Sequence, residues 1–115
     1  MSLTIDLQQE PTFWLLKLSG DLDYGECSTF RATIDQVIKA GPSAIVVDLS
    51  AIDYLDSSGL GLLLSLSKEY GAQGGKLVLV TNESVDNILA LTRLNGIFTT
   101  AEDLEQAQEV LQRIA

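Results

Sequence analysis

Two short runs, Ala44-Ile45-Val46-Val47 and Leu77-Val78-Leu79-Val80, are apolar at every position. A strand with one solvated face alternates polar and apolar residues, so an unbroken run needs cover on both faces, as in a parallel sheet held between helices. The segment between the runs supplies that cover: it reads as a helix from about Ser57 to Tyr70. Strand, crossover helix and strand make a right-handed βαβ unit, and Gly71 and Gly74-Gly75 give the return turn its permissive backbone. The expected fold class is therefore α/β.

The flanking sequence adds to both layers. Leu3, Ile5 and Leu7 alternate with Thr4, Asp6 and Gln8 at a strand's period of two, and a turn at Glu10-Pro11-Thr12 leads into a returning strand, Phe13 to Leu18, ended by Gly20. From Glu26 to Lys39 the residues Cys27, Phe30, Ile34, Val37 and Ile38 recur at helical spacing before the stop Gly41-Pro42. Val85, Ile88, Leu89 and Thr92 mark a helix from Glu83 to about Leu94, ended by Asn95-Gly96. A short strand is expected at Ile97-Phe98-Thr99, an N-cap in Thr100-Ala101-Glu102-Asp103, and a last helix with Leu104, Ala107, Leu111 and Ile114 facing the core. The whole is an N-terminal β-hairpin joined to a mainly parallel sheet packed with about four helices, read as a single domain over residues 1–115, a length that buries one core.

Composition narrows the chemistry. With sixteen acidic against seven basic residues the net charge is −9, a field that repels phosphate backbones and anionic lipid, so no direct nucleic-acid partner is expected. No stretch approaches the roughly 20 apolar residues that span a bilayer, and the first residues lack the basic and apolar regions of a secretion signal; no membrane insertion and a cytoplasmic location are expected. The absence of histidine excludes His-based triads and His-ligated metals, and the single cysteine, Cys27, excludes an internal disulfide. Cys27 shares its helical face with Phe30 and Ile34 and reads as a small core residue. No catalytic residue, metal or cofactor is expected.

The informative stretch runs from Val46 through Asp56-Ser57-Ser58-Gly59-Leu60-Gly61, where a buried strand gives way to a helix. Ligands of open α/β sheets gather at this end of the strands. Asp56 or Ser57 can cap the helix, which places Ser58 in the first turn among N–H groups that have no partner inside the helix. Those groups and the helix dipole tolerate an anion, so Ser58 is physically suited to phosphorylation. The phosphate adds roughly −1.5 to −2 charges, enough to disrupt a surface contact at that edge. Leu60, Leu62, Leu63, Leu64 and Leu66 are too many for one narrow stripe, so most belong to the core. One or two of them left exposed with Leu55 or Tyr54 would make an apolar contact patch beside the hydroxyl.

Gly20-Asp21-Leu22-Asp23 after the second strand, then Val47-Asp48-Leu49, then Asp56-Ser57-Ser58-Gly59-Leu60-Gly61, in this order over nearly the whole chain, resembles the bacterial anti-sigma factor antagonists of the STAS-domain family. The resemblance implies that Ser58, the second serine of the motif, is the phosphorylated one. It implies an unphosphorylated form that binds an anti-sigma factor, frees its sigma factor, and is then phosphorylated and released by that same partner acting as a serine/threonine kinase. A phosphatase acting on phospho-Ser58 resets the cycle. By the same resemblance Asp23 and Asp56 match acidic positions of the motif, as partner-contact and helix-start residues, within a partner-binding set completed by Ser57, Ser58, Gly59 and Leu60.

Three other readings compete. Asp48 closes a buried strand as a phosphoaspartate would, but such a site needs clustered carboxylates for Mg²⁺ and a nearby lysine, whereas Asp6 is only one early acid and the late strand near Phe98 offers no lysine. Ser65-Leu66-Ser67-Lys68 has the Ser-x-x-Lys spacing of some acyl-transfer enzymes without their other motifs. A STAS interaction subunit of a transporter-associated or other regulatory complex, with no phosphorylation cycle, would share the fold; the intact Ser58 motif favours the switch.

Overall fold

Each unbroken apolar run forms a strand with a hydrophobic layer on either side. The computed structural model of the chain describes residues 2–114; Met1 and Ala115, the ends of the expected domain, lie outside the described residues. Elements follow in the order β1 (Leu3–Gln9), β2 (Trp14–Leu22), a 3-10 turn (Tyr24–Glu26), α1 (Cys27–Ala40), β3 (Ala44–Leu55), α2 (Ser57–Ala72), β4 (Lys76–Val80), α3 (Glu83–Leu91), β5 (Thr100–Ala101) and α4 (Leu104–Arg113). The sheet order is β1-β2-β3-β4-β5, with β1 antiparallel to β2 and every other pair parallel. None of the helices is long and apolar enough to cross a membrane.

Alternation along the strands sorts the side chains into two cores. Leu16 and Leu18 of β2, Ile45, Val47 and Leu49 of β3 and Leu79 of β4 pack on one face against Phe30, Ile34 and Val37 of α1, Leu63 and Leu66 of α2 and Val85 and Leu89 of α3. Phe13 and Leu15, Ala44 and Val46, and Val78 and Val80 take the other face with Ala107 and Leu111 of α4. Beyond the reach of α4 that second face turns polar, with Thr4, Asp6, Lys17, Ser19, Asp48 and Ser50 lining a shallow depression. Asp48 accepts the N–H of Ser50 at 2.9 Å, which engages its carboxylate within β3 itself.

Four boundaries differ from the sequence-based expectation, each for a local reason. β2 does not end at Gly20: this glycine has φ +93° and lies against the backbone of Ser2, a site closed to any side chain, so the strand bends and continues to Leu22. β3 runs to Leu55, eight residues past Val47, because register shifts opposite Lys17–Ser19 and Gly20–Asp21 let it keep pairing with β2 after simple alternation is lost. α3 stops at Leu91, where the Thr92 hydroxyl donates to the Ile88 carbonyl at 2.7 Å and Arg93 takes φ +60°, letting Leu94 N–H close onto Leu89 O at 2.8 Å. The last strand is Thr100–Ala101, in place of residues 97–99, and Asp103 caps α4 by accepting the Gln106 N–H at 2.8 Å.

Phe30 is fully buried where α1 meets the sheet, below the turn that carries Asp23. Phe30→Ala is expected to cost about 3–5 kcal/mol through lost burial and the residual cavity. The shift of the urea unfolding midpoint at unchanged slope measures it, and a loss below about 1 kcal/mol would contradict this packing.

Candidate functional site: the helix start after β3

The end of β3 turns into α2 through one carboxylate. Asp56 is extended, with φ −101° and ψ −179°, as an N-cap must be, and its Oδ1 accepts the Gly59 N–H at 3.0 Å. Asp56, not Ser57, is therefore the cap. Its Oδ2 accepts the Tyr24 N–H, also at 3.0 Å, so one side chain ties the start of α2 to the turn after β2. The Asp56 N–H donates to Leu22 O at 3.3 Å, a second link between the same segments.

That turn has its own acidic cap. Asp23 is extended and accepts the Glu26 N–H on Oδ1 at 3.2 Å, opening the 3-10 turn from which α1 continues. Asp23 and Asp56 thus hold two neighbouring helix starts. Cys27 lies between them, half-buried, with its thiol donating to the Asp23 carbonyl at 3.3 Å. Burial pushes the Cys27 thiol pKa up, and the negative charges of Asp56 and Asp23 push it further. The half-buried thiol is neither a deep core residue nor an activated nucleophile, since both burial and the neighbouring carboxylates disfavour the thiolate.

Gly59 is required by contact. A Cβ there would stand 2.5 Å from Leu22 O and 2.7 Å from Leu22 Cγ, so α2 starts pressed against the end of β2. Leu60 follows it inward at 6% exposure and Leu55 is buried as well, so both serve the core and the expected patch does not include them. What remains outside is Ser57, exposed, and Ser58, half-buried. Among the described residues no hydrogen bond engages either hydroxyl, and the backbone N–H groups of both serines have no protein partner. Tyr54, 55% exposed, precedes the Asp56 cap by two residues, and Tyr24, 80% exposed, is tied to that cap through its backbone N–H. Tyr24 was not legible as a site residue; its only sequence mark is an aromatic placed directly after Asp23, in a segment too polar for a core.

The arrangement is a small platform: a serine in the first turn of a helix, two free N–H groups, the carboxylates of Asp23 and Asp56, and the two segments that carry the exposed Tyr24 and Tyr54. Ser65 is half-buried and Lys68 exposed further along α2, away from this platform.

The STAS domain family matches residues 4–107, and the chain belongs to that family. It is 28% identical over 106 residues to the anti-sigma-F factor antagonist RsfB of Mycobacterium tuberculosis, covering 89% of this chain and 86% of that protein. The crystal structure of an anti-sigma factor antagonist from Mycobacterium paratuberculosis superposes with a TM-score of 0.87 at 25% identity, covering 96% of this chain and 95% of that one. The anti-sigma factor antagonist SpoIIAA in its unphosphorylated form gives 0.78 at 24% identity over 97% and 99% of the two chains, a likeness of fold. SpoIIAA, a cell fate determinant of Bacillus, is also known structurally in a phosphorylated form.

Asp56→Ala removes the cap of α2 and the bond to Tyr24, and should lower stability by about 1–2 kcal/mol. Gly59→Ala should lower it by about 1–3 kcal/mol, because Leu22 backbone cannot yield to a Cβ as a flexible side chain would. Chemical denaturation reads both, and a neutral Gly59→Ala would contradict the close packing of α2 on β2.

Proposed function

We propose that the protein is an anti-sigma factor antagonist whose binding surface is the platform around Ser58. In the unmodified state the platform docks on an anti-sigma factor, with Tyr24 and Tyr54 as aromatic contacts and the Asp23 and Asp56 turns as its frame. The bound partner, acting as an ATP-dependent serine/threonine kinase, places a phosphate on Ser58. The modified surface no longer fits and the antagonist leaves, until a phosphatase restores the hydroxyl. The protein acts in this cycle by binding and as a substrate, not as a catalyst.

The observation that carries the reading is the placement of Ser58. It is half-buried in the first turn of α2, its hydroxyl uncommitted to any hydrogen bond among the described residues, so a kinase needs no hydrogen bond broken to engage it. Free N–H groups and the positive end of the helix dipole make a phosphate tolerable to the fold. The same phosphate is intolerable to the interface. It adds roughly −1.5 to −2 charges to a spot already negative from Asp23 and Asp56, and it carries water into a contact that needs to be dry. Fold and binding therefore respond oppositely to one modification, which is what a reversible switch needs.

Three substitutions test the assignment. Ser58→Ala should fold, bind and accept no phosphate. Ser58→Glu should fold at least as well as the wild type, since an acid in the first turn suits the dipole, yet bind at least about tenfold more weakly. Ser57→Ala should change stability by less than about 0.5 kcal/mol, because Asp56 is the cap, and should leave phosphate incorporation intact. Affinity capture from the source organism identifies the partner, and phosphopeptide mass spectrometry locates the phosphate. Phosphate on Ser57, or tight binding by Ser58→Glu, would sink the assignment, and capture of a permease or transporter component in place of a kinase would point to a constitutive interaction subunit.

A further inference from the structure

β3 outruns its neighbour on one side. Its last pair with β4 is Asp48–Val80, and residues 49–55 pair only with β2, through a register that shifts twice. The edge facing α3 therefore exposes carbonyls that a strand would normally satisfy, and each needs a donor. Asn82 provides it. Its Nδ2 points at the carbonyl oxygens of Ile52, Ser50 and Leu49, at 3.0, 3.2 and 3.4 Å. The two amide hydrogens are shared among three acceptors, with the bond to Ile52 the shortest.

The other half of the same amide faces the opposite way. Oδ1 accepts the Val85 N–H at 2.8 Å, which makes Asn82 the N-cap of α3. With an N–H before the oxygen and three carbonyls before the nitrogen, the orientation of the amide is fixed by its partners. A single side chain thus replaces the missing strand and starts a helix. Two residues beyond Ile52 comes Tyr54, and after it the Asp56 cap and Ser58; Val85 and Ile88 of α3 share a shallow cleft with Ile52, Tyr54 and Leu55.

We propose that Asn82 is a positioning residue of the switch, holding the free edge of β3 so that Tyr54, Asp56 and Ser58 stand at the height the partner and the kinase recognise. The inference rests on the reading of Ser58 as the modified residue, and it makes α3 part of the switch through a contact remote in sequence from the motif.

Asn82→Asp separates the two duties of the side chain. The carboxylate still accepts the Val85 N–H and suits the helix N-terminus, but it has no hydrogen to offer the three carbonyls. Leu111→Ala, in the core on the opposite face of the sheet, is the control for general loss of stability. Peptide-resolved amide hydrogen exchange should show residues 50–58 exchanging about tenfold faster in Asn82→Asp, with α3 still protected, and no such selective change in Leu111→Ala. In the source organism the phosphorylated fraction of the Ser58 peptide should fall several-fold in Asn82→Asp and stay near wild type in Leu111→Ala. Unchanged protection of residues 50–58 would overturn the clamp, and a loosened edge with normal Ser58 phosphorylation would overturn its positioning role. Absence of phosphate on Ser58 in the wild type would sink the switch itself, while the exchange arm would still decide whether the clamp exists.

Discussion

The Asp56 carboxylate accepts one hydrogen bond from Gly59 in its own helix and one from Tyr24 in the turn after β2, and the geometry of the whole surface follows from that pair. The first bond starts α2 at a defined residue and so puts Ser58 in the first turn. The second fixes the start of α2 against the turn that opens α1, so that Tyr24, Asp23 and Ser58 form one surface although they come from different crossings of the sheet. Gly59 allows the approach by leaving room for Leu22. Without either contact the serine would still be present, but its neighbours would not be assembled around it.

In the proposed cycle the same construction lets one surface carry a reversible state. Core and proposed switch are kept apart within one helix turn: Leu60 and Leu63 are buried in the core, while Ser57 is exposed and Ser58 half-buried. A charge added outside does not have to be buried, so the fold gains from it through the helix dipole while a docked partner loses. The carboxylates of Asp56 and Asp23 make the spot negative before any phosphate arrives, and with burial as the larger cause they push the pKa of the neighbouring Cys27 thiol up.

Much of this was legible in the sequence because it depends on local patterns. The apolar runs at 44–47 and 77–80, the helical periodicity of Phe30, Ile34 and Val37, and an aspartate ahead of Ser57-Ser58-Gly59 each speak for their own segment. Contacts between segments left no such mark. The extension of β3 to Leu55 was hidden because two register shifts scramble its alternation, and Leu55 and Leu60 looked as available to a partner as to the core. Tyr24 joined the site only through its backbone N–H, and Asn82 only through carbonyls about thirty residues upstream. A polar side chain in a helix-capping position gives no sign in sequence that its other end is also engaged.

A phosphate on Ser58 is expected to change the surface and leave the fold intact. Backbone amide chemical shifts, compared between the unmodified protein and protein stoichiometrically phosphorylated on Ser58, test it directly. The account predicts large shifts confined to residues 22–27 and 54–61, with β1, β4 and α4 unmoved and thermal stability equal or higher. Shifts spread through the sheet, or a clear drop in stability on phosphorylation, would contradict it.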